Sequence, residues 1–177
     1  TRVYSLGKVG SDSHGEAVRI CQSFEPVRLP VNPGQSNRLA IRYSNHAGRE
    51  VVRMGIQPGF RVFLLAGESS AQAMLQERDL RTIGWSVIAG LGLALTLLHL
   101  VIFLSYRASR ENLYFAAFAV SITLFSLLLA HAYFAGSWDL RGAVWFFALF
   151  RILLVAMAMT GMRFMQSVRG MQSRLGD

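Results

Sequence analysis

The chain has 177 residues, is 53% hydrophobic and carries a formal charge of +8, from 18 Lys and Arg against 10 Asp and Glu. The positive balance does not mark a nucleic-acid binder. Lys8 is the sole lysine, and the arginines scatter through the first half and then gather at the ends of apolar stretches, as membrane topology would place them. Cys21 is the sole cysteine, so no disulfide forms within the chain.

Hydropathy changes abruptly near Arg81. Residues 1–81 read as water-soluble sequence and residues 82–165 as lipid-soluble sequence. The soluble part is punctuated by turn signals at Pro30, Gly34, Gly48 and Gly59. Between them, residues 39–44 alternate, with Leu39, Ile41 and Tyr43 on one face and Ala40, Arg42 and Ser44 on the other, the period-two pattern of a half-buried antiparallel strand. Residues 27–31 and 61–65 are weaker strand candidates, the first confined to an edge by Pro30. Short strands at this spacing predict a partial antiparallel β-sandwich of jelly-roll type, with too few strands here to close it. Residues 69–81 are good helix formers and predict a short helix leading directly into the first apolar stretch.

Three apolar stretches follow, at about 83–104, 113–134 and 143–165. The first has no charged residue and no polar face; as a helix it would cover about 33 Å, against about 30 Å of bilayer hydrocarbon. The connectors are short, which makes the three spans antiparallel neighbours. The fold class expected is therefore a membrane protein: the partial sandwich, then three antiparallel transmembrane helices. Arginines of the first connector, Arg107 and Arg110, and of the last stretch, Arg163, Arg169 and Arg174, place those ends in the cytoplasm and residues 1–81 outside it, with Arg78 and Arg81 against the trend. Trp85, Tyr133, Trp138 and Trp145 then fall at the outer boundary, and Tyr106 and Tyr114 at the inner one. Residues 166–177 read as a polar cytoplasmic loop or tail. No signal peptide precedes residue 83, so the chain is expected to be an internal piece of a longer protein, with further spans or an effector after Asp177.

Arg151 is the most informative side chain. It lies roughly 12 Å inside its span, where an arginine costs about 2.5–3.5 kcal/mol and faces the bundle interior with a partner. Ser126 and Thr123 of the second span reach a similar depth and are the expected hydrogen-bond partners. Such a set serves either to couple a signal through the bundle or simply to pack helices, with an acidic residue on a further helix as another partner. Ser86, Gly90 and Ala94 form a small-xxx-small ladder suited to close helix contact. His99 and His131 sit at opposite depths and cannot share a metal ion; a polar contact inside the bundle is the expectation for His99. His14 and His46 lie in turn-rich, solvated sequence. There is no nucleophile elbow, phosphate loop, His-Glu-x-x-His or Cys-x-x-Cys motif, so no catalytic residue, metal or cofactor is assigned.

Several motifs together resemble a known family: Gly-Lys-Val-Gly at 7–10, Pro-x-x-Leu-Pro at 26–30, Asn-Arg-Leu-Ala-Ile-Arg-Tyr-Ser-Asn at 37–45, and Tyr-Arg-x-x-Arg-Glu-Asn-Leu-Tyr-Phe at 106–115. They resemble the bacterial seven-transmembrane receptors with diverse intracellular signalling modules, preceded by a jelly-roll-like outer domain. The 37–45 stretch is also similar to a strand of sugar-binding jelly rolls in glycosidases. The resemblance implies a multi-pass protein of the bacterial inner membrane with its N-terminal domain outside the cytoplasm. Its partners would be the lipid bilayer, a small-molecule ligand with carbohydrate as one class, and a cytoplasmic effector in the same polypeptide. Kinase, nucleotide cyclase and serine phosphatase modules are the family's outputs. The alternative is a membrane-anchored binding or assembly subunit with no signalling output.

Overall fold

The computed structural model describes residues 67–175 continuously and, before them, residues 9–10, 19–21, 26–29, 31, 34–41, 43–44, 46 and 48–56. Their order is β1 (Arg19–Cys21), α1 (Gly48–Arg53), α2 (Gly67–Ser105), α3 (Arg110–Ala135), β2 (Ser137–Asp139) and α4 (Leu140–Leu175). Two compact units result, Thr1–Arg78 with Ala135–Trp145, and Asp79–Phe134 with Phe146–Asp177.

Among the described residues of the first unit the expected sandwich is not evident. Among the described residues the sheet has two strands, with β1 antiparallel to β2 and Arg19, Ile20 and Cys21 opposite Asp139, Trp138 and Ser137. The described residues of the 27–31 and 39–44 candidates are neither strand nor helix. Leu39, Ile41 and Tyr43, expected to turn inward, are 53%, 49% and 46% exposed. Alternation buries a face only when a neighbouring strand takes up the backbone N–H and C=O groups, and the sheet formed by the described residues does not include this segment. The 61–65 candidate and His14 lie outside those residues. The turn signal at Gly34 does correspond to a turn, with φ at +75°.

The helices follow from local chemistry. α2 begins at Gly67, and the expected 69–81 helix is its first third, running without a break into the first apolar stretch. Arg28 pairs with Glu68 in its first turn at 2.6 Å; both are largely exposed, so the pair is worth little. α3 stops where Gly136 takes φ of +69°, the left-handed conformation that ends helices. Asp139 then starts α4 as an N-cap: the Gly142 amide donates to its Oδ1 at 2.9 Å. Residues 166–175, read from sequence as a polar loop or tail, continue α4 as helix.

The second unit is built inside out relative to a water-soluble bundle. α2, α3 and α4 are each long and apolar enough to cross a membrane. Apart from Phe146, their buried residues are small or hydroxylic: Ala89, Ala116, Ala119, Thr96, Thr123 and Ser126 among them. Their large apolar side chains point outward, with Leu91, Val101 and Ile152 each at least 60% exposed. Lipid tolerates that surface and water does not.

Small residues set how closely α2 and α3 approach, and Gly92 is the tightest point. A Cβ there would lie 2.5 Å from Thr123 Oγ1 and 3.5 Å from the Ala119 carbonyl oxygen. The contact face of α2 is thus the Ala89, Gly92 and Thr96 row, all buried. The Ser86, Gly90 and Ala94 ladder, expected to suit close helix contact with no partner specified, is exposed in this unit, and nothing lies within 4 Å of a Cβ on Gly90. The ladder is real in sequence, but the helix is rotated so that a neighbouring row meets α3. Gly92→Val should therefore destabilise the bundle by about 1–3 kcal/mol, read as a lower unfolding midpoint in detergent, whereas Gly90→Ala should leave the midpoint unchanged.

Candidate functional site

The polar and aromatic contacts of the second unit form a seam along α3. Its side-chain hydroxyls are mostly turned back on their own helices, an arrangement that hides them from lipid. Thr96 donates to the Gly92 carbonyl at 2.8 Å, Ser121 to that of Ala117 at 2.9 Å, and Thr123 to that of Ala119 at 2.9 Å. Ser126 departs from this pattern. It is 1% exposed, and its Oγ has no hydrogen-bond partner. An orphaned buried hydroxyl of this kind costs about 1–3 kcal/mol.

Two phenylalanines of α3 each touch both neighbouring helices. Phe125 meets Trp85 of α2 edge-on at 6.3 Å and Phe150 of α4 at 5.1 Å between ring centroids. Phe115 meets His99 of α2 at 4.0 Å and Phe164 of α4 at 5.2 Å. The two are ten positions apart on α3, about 15 Å along its axis. Partners advance along α2 and α4 as they retreat along α3, which fixes the antiparallel order and makes α3 the central helix.

Polar contacts close the α2–α3 seam at both ends. The Arg81 guanidinium donates to the Tyr133 hydroxyl at 3.3 Å and lies 5.8 Å from that ring's centroid. At the other end His99 Nδ1 and Asn112 Oδ1 are 2.9 Å apart. An amide oxygen only accepts, so Nδ1 carries the hydrogen. His99 is half-buried and its ring is held against Phe115 as well, so a single side chain reads the positions of two elements of α3.

The candidates chosen from sequence are not brought together. Thr123 and Ser126 are buried, the first packed against Gly92 and the second without a hydrogen bond. Arg151 is on an exposed face of α4, so Ser126 is not its hydrogen-bond partner and the guanidinium does not occupy the interior of this three-helix unit. Depth alone suggested the set; the helical azimuth of Arg151 separates it. His131 is exposed, whereas His99 makes the polar contact described. Among the described residues no group of three His, Cys, Asp or Glu is placed to hold a metal ion.

Asn112, Phe115, Phe164 and Gly92 were missed in the sequence reading. Folding residues 83–134 into a hairpin about the short connector sets His99 against Phe115, since they lie six and five residues from the facing ends of α2 and α3. No protein family, curated protein or solved structure matches the chain.

A double-mutant cycle tests the closed end of the seam. His99→Phe and Asn112→Leu, alone and combined, should give a coupling of about 0.6–1.7 kcal/mol in unfolding free energy, the range of interhelical hydrogen bonds in membranes. Strictly additive effects would show that the two side chains do not hold each other.

Proposed function

We propose that this chain is the sensing and transmembrane part of a bacterial integral-membrane signal-transduction protein. The outer part, residues 1–81, receives a signal, and the helical bundle conveys it to a cytoplasmic effector carried by the same polypeptide. The resemblance to bacterial seven-transmembrane receptors with diverse intracellular signalling modules supports this reading, with a small molecule, carbohydrate among the candidates, as the ligand. The inner membrane is the proposed location, with the N-terminal part outside the cytoplasm.

The observation that carries the reading is the unbroken course of α2. A single helix of 39 residues, against about 20 needed to span the hydrocarbon layer, contains both the polar 67–81 segment and the first apolar stretch. A ligand acts through such an element only by binding one arrangement of it more tightly than another. The β1–β2 pairing adds a second attachment, joining residues 19–21 to the turn between α3 and α4. It also requires an even number of crossings between residues 21 and 137, which α2 and α3 as two spans supply.

Two experiments test this. In a Cys21→Ser background, single cysteines at Ser36 and Ser109 are labelled in intact cells with an impermeant reagent. Labelling at position 36 and protection at 109 is expected; the reverse would refute the orientation. Second, Cys21 and Ser137 are directly opposed, and opposed antiparallel residues have Cα atoms about 4.5–5.5 Å apart, within disulfide range. Ser137→Cys should form an internal disulfide on oxidation and fix the effector's output at one level in the full polypeptide, with dithiothreitol restoring the response. A disulfide that forms with no effect on output would favour the anchoring subunit.

A further inference from the structure

One groove on the second unit has a polarity that neither the seam nor the signalling reading uses. It is an open trough of about 730 Å³ along α4, floored by Phe118 of α3 and lined by Leu154, Met157, Met162 and Met165, with Gln166 and Arg169 at one end. Gly161 creates the depression: a Cβ at that position would sit 3.3–3.4 Å from the Phe118 ring, so α3 and α4 close together beneath it. The volume is within the roughly 300–1,000 Å³ of ordinary ligand sites.

Its length selects the occupant. From Leu154 to Met165 the apolar bed covers about 17 Å of helix, and one leaflet of hydrocarbon is about 15 Å deep. The polar end therefore falls at the headgroup level, where a long arginine extends its guanidinium into the interface. A further membrane helix would need an apolar face through both leaflets; this trough serves one. Methionines suit a flexible chain, because unbranched thioethers adapt to an irregular partner. Charge completes the match: Arg169 and Arg174 follow the bed, and no acidic residue occurs from 140 to 176.

We infer that this trough binds one anionic phospholipid, its acyl chain along the Leu154–Met165 bed and its phosphate at Arg169 and Gln166. The site depends on the helices lying in lipid and is independent of what the outer part senses. In the orientation proposed above the lipid belongs to the cytoplasmic leaflet.

The test uses the purified chain in a mild nonionic detergent, titrated with phosphatidylglycerol or phosphatidylcholine of matched acyl chains and read by native mass spectrometry. Phosphatidylglycerol should be retained at about fivefold lower concentration, the preference expected of one interfacial arginine. Arg169→Gln should abolish that preference while leaving phosphatidylcholine bound. Arg163→Gln, outside the groove, should preserve it. Ala158→Trp, which fills the trough, should lower retention of both lipids, with helix content by circular dichroism unchanged. Equal retention of the two lipids by the native chain, an unaltered preference in Arg169→Gln, or displacement of the adduct by millimolar inorganic phosphate would overturn the assignment. So would efficient disulfide formation between two copies bearing Cys21→Ser and Met162→Cys in a bilayer, since the groove would then belong to a protein interface.

Discussion

Close approach of α2 to α3 at Gly92 is the constraint from which the membrane unit is built. In lipid, apolar side chains gain nothing by leaving their surroundings for one another, so helices associate through packing and a few polar contacts. Gly92 against Thr123, with Ala119 beside it, brings the backbones near enough for both. That approach also explains the exposed face of α2. Large side chains such as Leu91 and Leu93, 62% and 53% exposed, cannot enter so narrow a seam and are left to lipid. The hydroxyls in the seam bond to carbonyls one turn back, as Thr96 and Thr123 do, and so add volume without adding unmet polarity.

Around this contact the bundle is held at two levels by rings and at its ends by polar side chains. Phe115 and Phe125 tie three helices at separate depths, and His99 with Asn112 and Arg81 with Tyr133 fasten the margins of the α2–α3 pair. Ser126 is the exception to this satisfaction, buried without a hydrogen bond in the same helix that bears the ring contacts. A bundle with one orphaned polar group is one in which a small rearrangement costs less than full packing would suggest, because the rearranged state can gain a bond.

What was legible in the sequence was what depends on composition along one element. The three apolar stretches, their short connectors and the helix at 69–81 all follow from runs of residues, and the helices contain them. What was illegible depends on azimuth or on distant partners. The Ser86, Gly90 and Ala94 ladder and the Ala89, Gly92 and Thr96 row look equally suited to packing; only the facing helix chooses between them. Arg151 was placed by depth, and depth does not say which way a side chain leaves the helix. β1 and β2 are three residues each and lie far apart in the chain, too short for alternation to register. Residues 39–44 alternate as a strand would, yet their described residues do not take strand conformation, because alternation in one segment does not specify the segment it pairs with.

The place of Gly92 along α2 has a mechanical consequence. Within Asp79–Ser105, the part of α2 in the second unit, it sits midway, 13 residues and about 20 Å from either end. A tilt of that segment about the Gly92–Thr123 contact would move its two ends by equal and opposite amounts. The ring contact of His99 with Phe115 lies on one arm and that of Trp85 with Phe125 on the other, so a tilt that presses one pair together parts the other.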